Sequence, residues 1–240
     1  MLRVSVSKQL IVAVDTLKQA KALLGAGVCI KIETLMRREG LRIVTTLMRQ
    51  GFNVFADLKL SGTPHTLKGE GEGLRHSGVS YVTVMCSTGV SSMRALKQQL
   101  PDVCVLGVTV LTSMTEKERK ETFPGFSPDR LVLHFADLAE EAGLDGVVAS
   151  PGEIKLMREQ FPRLKVVTPN IRPQGWVVEG DDQNLALSMT PSEALEAGAS
   201  AIILGRPIVG HTNPKEAVRI VLADMASVVH WKETRSAWLK

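Results

Sequence analysis

Eight short apolar runs, rich in valine and isoleucine, alternate with segments of helical periodicity along the chain. Such runs are typical of parallel strands that are buried on both faces and joined by helices. We predict strands at Gln9–Asp15, Cys29–Glu33, Asn53–Leu60, Tyr81–Ser87, Val103–Leu111, Gly146–Pro151, Lys165–Ile171 and Ala201–Ile208. Eight strand–helix units in 240 residues predict an α/β fold, a (β/α)8 TIM barrel that forms one domain over residues 1–240.

An open, doubly wound sheet is the competing fold. Such sheets often carry a glycine-rich turn after the first strand, whereas residues 14–17 here read Val-Asp-Thr-Leu. Helix starts are also visible: Thr190 and Glu193 form a capping box, and Asn213 precedes a proline at the start of the last helix. The strand count and the missing fingerprint favour the closed barrel.

Polar side chains end several of the predicted strands. Asp57 and Lys59 are two residues apart, so on a strand they point to the same face. In a barrel the carboxyl ends of all strands meet at one face, where catalytic groups lie. The strand-end polar residues are Asp15, Lys31, Glu33, Asp57, Lys59, Thr109, Thr112, Ser113, Asn170, Arg172 and Arg206. The sequence therefore predicts a charged site at this face.

The residues at the end of the eighth predicted strand predict a phosphate-binding site. Gly205 allows close approach of the backbone to an oxyanion, and Arg206 offers two parallel donors to phosphate oxygens. In barrels, the loops after strands seven and eight often bind phosphate. Residues 173–183, a long polar stretch after the seventh strand, are predicted to form a loop that closes over a ligand.

The charge pattern of the chain indicates which kind of partner it binds. The net charge of +4 comes without a long lysine–arginine run, so we expect no nucleic-acid partner, and a small anionic substrate fits.

Three cysteines do not make a complete disulfide framework, which predicts reduced thiols and a cytoplasmic location. The N-terminal stretch is interrupted by Lys8 and Asp15, so we predict no signal peptide and no membrane span.

Taken together, these segments resemble the orotidine 5'-phosphate decarboxylase family over nearly the whole chain. The segments that carry the resemblance are Ile11–Asp15, Lys31, Asp57–Lys59, Pro64, Thr66, Val108–Met114, Gly146–Pro151, Thr168–Pro169, Ile171–Pro173, Asp181–Gln183 and Gly205–Ile208. The resemblance implies a lyase of pyrimidine biosynthesis, a carboxy-lyase that converts orotidine 5'-phosphate to UMP and carbon dioxide. It also implies that the enzyme needs no cofactor and no metal, and that it is a homodimer with shared active sites.

The resemblance assigns the chemistry to the charged strand ends. Lys59 would protonate the carbon that loses its carboxylate, and Asp57 would lie beside it. Lys31 and Asp15 would contact the ribose hydroxyls and stabilise the network of charged side chains. Alternating lysines and acids keep the lysines protonated, because each ammonium has a carboxylate next to it. A lysine poised to donate a proton also stabilises the carbanion that forms.

Other residues would hold the substrate. Ser113 would bond the pyrimidine ring, and Thr66 would reach across the dimer to the partner's site. Gln183 and Arg206, with backbone N–H groups near Gly205, would hold the phosphate. The substrate-binding residues implied by the resemblance, besides Asp15, are Thr66, Thr112, Ser113, Pro169, Gln183, Gly205 and Arg206.

The chain departs from the family pattern around this site. The family motif is Asp-x-Lys-x-x-Asp, and Gly62 stands in place of its last Asp, which in the dimer would come from the neighbouring subunit. Asn170 and Glu33 stand where glycines are usual, and His65 stands where an asparagine is usual. The loss at position 62 removes a negative charge beside Lys59, so its proton would be held less firmly.

Glu33 has three interpretations on the sequence alone. It lies two positions past Lys31, on the same strand face, and can replace the missing charge. It can bind Mg2+ together with Asp57 through oxygen ligands. It can also form an ion pair with one of the nearby cations, which are Lys31, Lys59 and Arg37. His65 is either a substitute acid–base group or a solvated turn residue.

Three functions follow from these departures. The first is an orotidine 5'-phosphate decarboxylase whose activity is intact, impaired or altered. The second is a diverged barrel enzyme on another phosphorylated sugar or nucleotide, with Mg2+ as one version. The third is a nucleotide-binding protein that has kept the phosphate site and lost the chemistry.

Overall fold

Eight parallel strands form a closed barrel. The computed structural model describes residues 6–176 and 188–238, with side chains described up to residue 228. The strands are β1 (Leu10–Val14), β2 (Cys29–Ile32), β3 (Asn53–Leu60), β4 (Tyr81–Met85), β5 (Cys104–Val108), β6 (Gly146–Val148), β7 (Lys165–Thr168) and β8 (Ala201–Leu204). They pair in chain order, and β8 pairs with β1 to close the ring. The predicted (β/α)8 barrel is confirmed, and each strand lies within its predicted run.

Helices surround the barrel. They are α1 (Leu17–Ala22), α2 (Thr34–Glu39), α3 (Arg42–Arg49), α4 (Pro64–Leu74), α5 (Val90–Gln99), α6 (Glu116–Thr122), α7 (Pro128–Glu141), α8 (Ile154–Gln160), α9 (Pro191–Ala197), α10 (Arg206–Val209) and α11 (Pro214–Trp238). The capping box predicted at Thr190 begins α9, and the Asn213 Oδ1 atom accepts a hydrogen bond from Glu216 N, 3.2 Å away, in the first turn of α11. Within the described residues, no helix is both long and apolar enough to cross a membrane.

The core has two layers. The larger one lies between the strands and the helices, and a smaller one fills the barrel interior with Ile11, Phe55, Leu106, Val167 and their neighbours. Side chains on a strand alternate between these layers, so inward positions recur every two residues. The inward series therefore passes from the apolar interior to polar groups at the carboxyl ends of the strands, and this alternation positions the candidate site.

The three cysteines are free thiols. Cys29 and Cys86 are buried, and Cys104 is half-buried. Burial raises the pKa of Cys29 and of Cys86 to about 12, since an apolar environment disfavours the thiolate. Both therefore stay protonated at neutral pH and contribute to packing rather than to chemistry.

Candidate active site

A cavity of about 310 Å³ lies at the carboxyl ends of the strands. Its volume is in the range of small-molecule sites. Ten residues of the cavity wall are among the predicted site residues: Lys31, Asp57, Lys59, Thr112, Ser113, Pro169, Asn170, Arg172, Gly205 and Arg206. The structure thus brings together predicted residues from five strands or the loops that follow them, β2, β3, β5, β7 and β8. Val148 and Ala149, at the end of β6, also line the cavity.

Four charged side chains form an alternating chain at one wall. The Asp57 Oδ2 atom lies 2.6 Å from Lys31 Nζ and 3.0 Å from Lys59 Nζ. The Lys59 Nζ atom also lies 2.6 Å from Glu33 Oε2. The order of charges is Lys31, Asp57, Lys59, Glu33, so each inner member has opposite charges on both sides. Of the three interpretations of Glu33, the structure shows the ion pair with Lys59.

Asp57 is the buried centre of this chain. Only 7% of the residue is exposed, and its Oδ1 atom accepts a hydrogen bond from Thr83 Oγ1 at 2.8 Å. Burial alone would raise the pKa of Asp57, but the ammonium groups of Lys31 and Lys59 outweigh it, and the net pKa is lowered. Asp57 is therefore a carboxylate throughout the neutral range, and it stabilises the charged form of both lysines.

Lys59 lies at an irregularity of β3. The register between β3 and β4 shifts between Ala56 and Leu60, and Lys59 has a φ of 49°. Its backbone N–H donates to Thr83 Oγ1 at 2.8 Å. A left-handed backbone at a residue other than glycine costs roughly 1–3 kcal/mol and is common at functional sites. At this irregular position the Lys59 ammonium lies beside Asp57 and lines the cavity, although the sequence predicts a regular strand here.

The lowered pKa of Asp57 predicts how the free energy of unfolding depends on pH. Its folded-state pKa lies below the ordinary value of 3.8, so its stabilisation is complete above that value and is lost as the pH falls through the folded-state pKa. We expect Asp57→Asn to lower the free energy of unfolding by at least about 2 kcal/mol at neutral pH, because two ammonium groups lose their shared partner. The difference from wild type should shrink in acid. Urea unfolding followed by circular dichroism across the acidic and neutral range measures it.

A surface variant supplies the control for that series. Glu72 pairs with Lys68 at 3.8 Å on α4, and both side chains are more than half exposed. Glu72→Gln should change stability little at any pH, since exposed pairs contribute little. An Asp57→Asn difference that stays constant from neutral pH into acid would contradict the assignment of Asp57 as the titrating group.

Thr83 is a site residue that sequence reasoning missed. It is fully buried on β4, and its hydroxyl links the Asp57 carboxylate to the Lys59 backbone. Its one signal in the sequence is a polar residue between Val82 and Val84, inside an otherwise apolar strand. A buried threonine in a strand is often explained by packing, and only the contacts reveal its role here.

The part of the cavity wall that follows β7 and β8 is cationic. Arg172 is buried after β7, and Arg206 begins α10 directly after Gly205. Among the described lining residues, the cationic groups are Arg172, Arg206, Lys31 and Lys59, and the acidic group is Asp57. This excess of positive charge favours an anionic ligand. Thr112 and Ser113, in the loop after β5, add hydroxyl groups to the wall.

Asn170 has a left-handed backbone conformation. Its φ is 62°, in the left-handed region that glycine adopts without strain. Asparagine tolerates this region better than most other residues. Asn170 therefore holds this backbone conformation with a side chain that lines the cavity.

Two of the predicted substrate-binding residues, Asp15 and Thr66, are not among the residues that line this cavity. Asp15 is exposed, and its backbone carbonyl accepts a hydrogen bond from the Arg38 guanidinium at 2.7 Å. Thr66 lies on α4, beside a separate groove that Leu41 also lines. Gln183 falls outside the described residues, as does most of the predicted loop at 173–183. Their predicted contacts with substrate remain predictions.

Gly62 lies in the turn between β3 and α4. Its N–H donates to Thr88 Oγ1 at 3.0 Å, and its carbonyl accepts from the same hydroxyl at 2.8 Å. A Cβ atom at this position would come within 3.2 Å of the Thr66 side chain, closer than most real contacts. The turn is therefore packed around a glycine, and an acidic side chain here requires Thr66 to move.

A closed eight-stranded barrel with a cationic cavity and a lysine–carboxylate chain at its carboxyl face defines a TIM-barrel protein with an enzyme-like site for a small anion. Residues 8–221 match the family model described as "Orotidine 5'-phosphate decarboxylase / HUMPS family". The chain belongs to this family.

Individual relatives agree with that membership. The chain is 40% identical to the orotidine 5'-phosphate decarboxylase of Pseudomonas savastanoi pv. phaseolicola over 189 residues, which cover 77% of this chain and 80% of that protein. The crystal structure of the orotidine 5'-phosphate decarboxylase from Lactobacillus acidophilus matches with a TM-score of 0.79 and 29% identity, over 91% of this chain and 99% of that one. The Pyrococcus horikoshii OT3 structure, at 24% identity and a TM-score of 0.71 over 90% of this chain and 99% of that one, shows the fold alone.

Proposed function

We propose that this protein is a carboxy-lyase that converts orotidine 5'-phosphate to UMP and carbon dioxide in pyrimidine biosynthesis. The observation that carries the proposal is the Lys59 ammonium, which faces the cavity between two carboxylates at 2.6 and 3.0 Å. The family membership and the relatives named above support the choice of substrate.

The chemistry requires a proton donor at the reacting carbon. As the bond to the carboxylate breaks, carbon dioxide leaves and the electron pair stays on the ring carbon. In the proposal the Lys59 ammonium stabilises this developing charge and then gives its proton to that carbon. Asp57 and Glu33 favour the charged form of Lys59 before the reaction. Solvent then restores the proton to the neutral amine.

The remaining residues would bind and orient the substrate. In the proposal Arg206 and the backbone at Gly205 take the phosphate with Gln183, and Ser113 bonds the pyrimidine ring. The distant phosphate supplies binding energy that positions the ring against Lys59. Further predicted contacts with the substrate come from Asp15, Lys31, Thr66, Thr112 and Pro169.

We also propose a cytoplasmic homodimer with shared active sites, as the resemblance implies. An apolar groove between α2, β3 and α4 supports this, since Met36, Leu41, Leu58 and Leu74 line it and Thr66 lies at its edge. Leu41 is 41% exposed and lies in this groove, so it extends the apolar surface that a second copy would cover in the proposed dimer. Analytical ultracentrifugation of the purified protein tests the proposal, and a monomer at micromolar concentration would contradict it.

The catalytic proposal is tested by the loss of orotidine 5'-phosphate absorbance with purified protein. Turnover above the uncatalysed background is the expected result, and no turnover would reject the proposed reaction. Calorimetry with UMP then separates the other two functions. UMP binding without turnover indicates a nucleotide-binding protein that has lost the chemistry, and no binding indicates a different phosphorylated substrate.

The Mg2+ version of the diverged enzyme has less structural support. It places the metal between Glu33 and Asp57, but oxygen atoms of both carboxylates lie within 3.0 Å of lysine ammonium groups. Within the described residues, no cluster of three or more metal-ligating side chains is present. A turnover rate that is unchanged by added Mg2+ and by a chelator is the expected result.

A further inference from the structure

We propose that Glu33 is a positioning residue of the active site, and that it completes within one chain the carboxylate environment of Lys59. This inference rests on the proposed function, in which Lys59 is the proton donor. It assigns to Glu33 the charge that the family motif would place at position 62. Glu33 acts through Lys59 and is not itself among the residues that line the cavity.

The charges of the site require a second acid. Lys31 Nζ and Lys59 Nζ both contact the same oxygen, Asp57 Oδ2, at 2.6 and 3.0 Å. Two ammonium groups on one carboxylate leave an uncompensated positive charge in a partly buried site, which disfavours protonation of both. Glu33 supplies the compensating charge at 2.6 Å from Lys59 Nζ. The shorter of the two Lys59 contacts is thus the one to Glu33.

The position of Glu33 follows from the strand that precedes it. Lys31 lies on β2 and lines the cavity, and Glu33 comes directly after the last residue of that strand, at its carboxyl end. Glu33 is the N-cap residue of α2, yet its side chain makes no capping hydrogen bond. Its carboxylate contacts Lys59 instead of the free N–H groups of the helix, which a purely structural cap would bind.

Several charged groups surround the Lys59 ammonium. The charged groups near it are Asp57 from its own strand and Lys31 and Glu33 from the β2 side. Arg37 of α2 donates to the carbonyl of the preceding residue, Leu58, at 2.7 Å, and Arg172 and Arg206 line the same cavity. The neighbour of Lys59 from β4 is the uncharged Thr83. Glu33 is therefore one of two negative groups among these neighbours, and its removal leaves Lys59 with Asp57 alone, which Lys59 shares with Lys31.

The test compares Glu33→Gln, which keeps the shape, with Glu33→Asp, which keeps the charge. Glu72→Gln is the matched control, because Glu72 also pairs with a lysine but lies outside the cavity. We expect Glu33→Gln to lower kcat for orotidine 5'-phosphate about 10-fold at neutral pH and to move the alkaline fall of the rate to lower pH. Glu33→Asp should recover part of the rate, and Glu72→Gln should match wild type.

A second readout does not depend on turnover. Acylation of Lys59 by an amine-selective reagent, followed by peptide mass spectrometry, measures how much of this lysine is unprotonated at each pH. In Glu33→Gln we expect Lys59 to react about 10-fold faster at mildly alkaline pH, whereas Lys68 reacts as in wild type. UMP affinity should stay within about 2-fold, since Glu33 does not line the cavity.

The two readouts separate the failure of this inference from that of the proposed function. If wild type shows no turnover, the proposed function fails, and Lys59 acylation still tests the role of Glu33. If wild type is active but Glu33→Gln keeps the wild-type rate, pH profile and Lys59 reactivity, the inference is overturned. A melting curve for each variant confirms that the comparison concerns folded protein.

Discussion

Substitution of Lys59 by methionine is expected to lower kcat/KM for orotidine 5'-phosphate by at least about 1,000-fold, because a general acid and its charge are lost together. Methionine matches the length of the aliphatic stem but has no proton to give. Most of the loss should appear in kcat, since the interaction forms as charge develops on the reacting carbon. Steady-state absorbance assays at several substrate concentrations separate kcat from KM.

Two further variants make this result specific. Lys59→Arg keeps the positive charge but not a readily transferred proton, so it should remain near the methionine variant rather than near wild type. Lys68→Met removes an exposed lysine that pairs with Glu72 on α4, and its rate should equal that of wild type. A Lys59→Met variant that retained more than about a tenth of the wild-type rate would exclude Lys59 as the donor.

Arg206→Ala is expected to lower kcat/KM about 100-fold, which corresponds to the loss of about 2.7 kcal/mol of charged hydrogen bonding to phosphate. The loss should appear in both kcat and KM, because the phosphate interaction positions the ring as well as binding it. Kinetics together with calorimetry of UMP measure the two parts. The affinity for uridine, which lacks the phosphate, should hardly change.

Two further variants test whether the loss is specific to the phosphate contact of Arg206. Arg206→Lys keeps one charge but loses the planar pair of donors, so an intermediate loss is expected. Arg219→Ala removes an exposed arginine that pairs with Glu216 on α11, and it should leave both constants unchanged. Equal losses of UMP and uridine affinity in Arg206→Ala would contradict the phosphate role and indicate a general disturbance of the cavity.

The fold and half of the site were accessible from the sequence because they depend on local patterns. Apolar runs of strand length predicted every strand of the barrel, since buried parallel strands need continuous apolar residues. The face shared by Asp57 and Lys59, and their place at a strand end, predicted that they would meet in a cavity. Arg206 after Gly205 was found by the same logic at the eighth strand.

Other parts of the site depend on contacts between segments distant in sequence. Thr83 is 24 residues from Lys59, and its hydrogen bond to that backbone exists because a bulge shifts β3 against β4. No periodicity in the sequence marks this bulge. Glu33 had three interpretations on the sequence, because the partner of a flexible acidic side chain depends on the cation that the neighbouring strand presents.

The sequence by itself determined the barrel, the charged face and the family, because strand periodicity and motif order are properties of the chain alone. The tertiary structure decided how the charges are shared. Two lysines converge on one oxygen of Asp57, and Glu33, which follows β2, pairs with Lys59 of the neighbouring strand β3. Coulomb interactions depend on distances between atoms of separate strands, so only the folded protein decided which of the nearby cations pairs with Glu33.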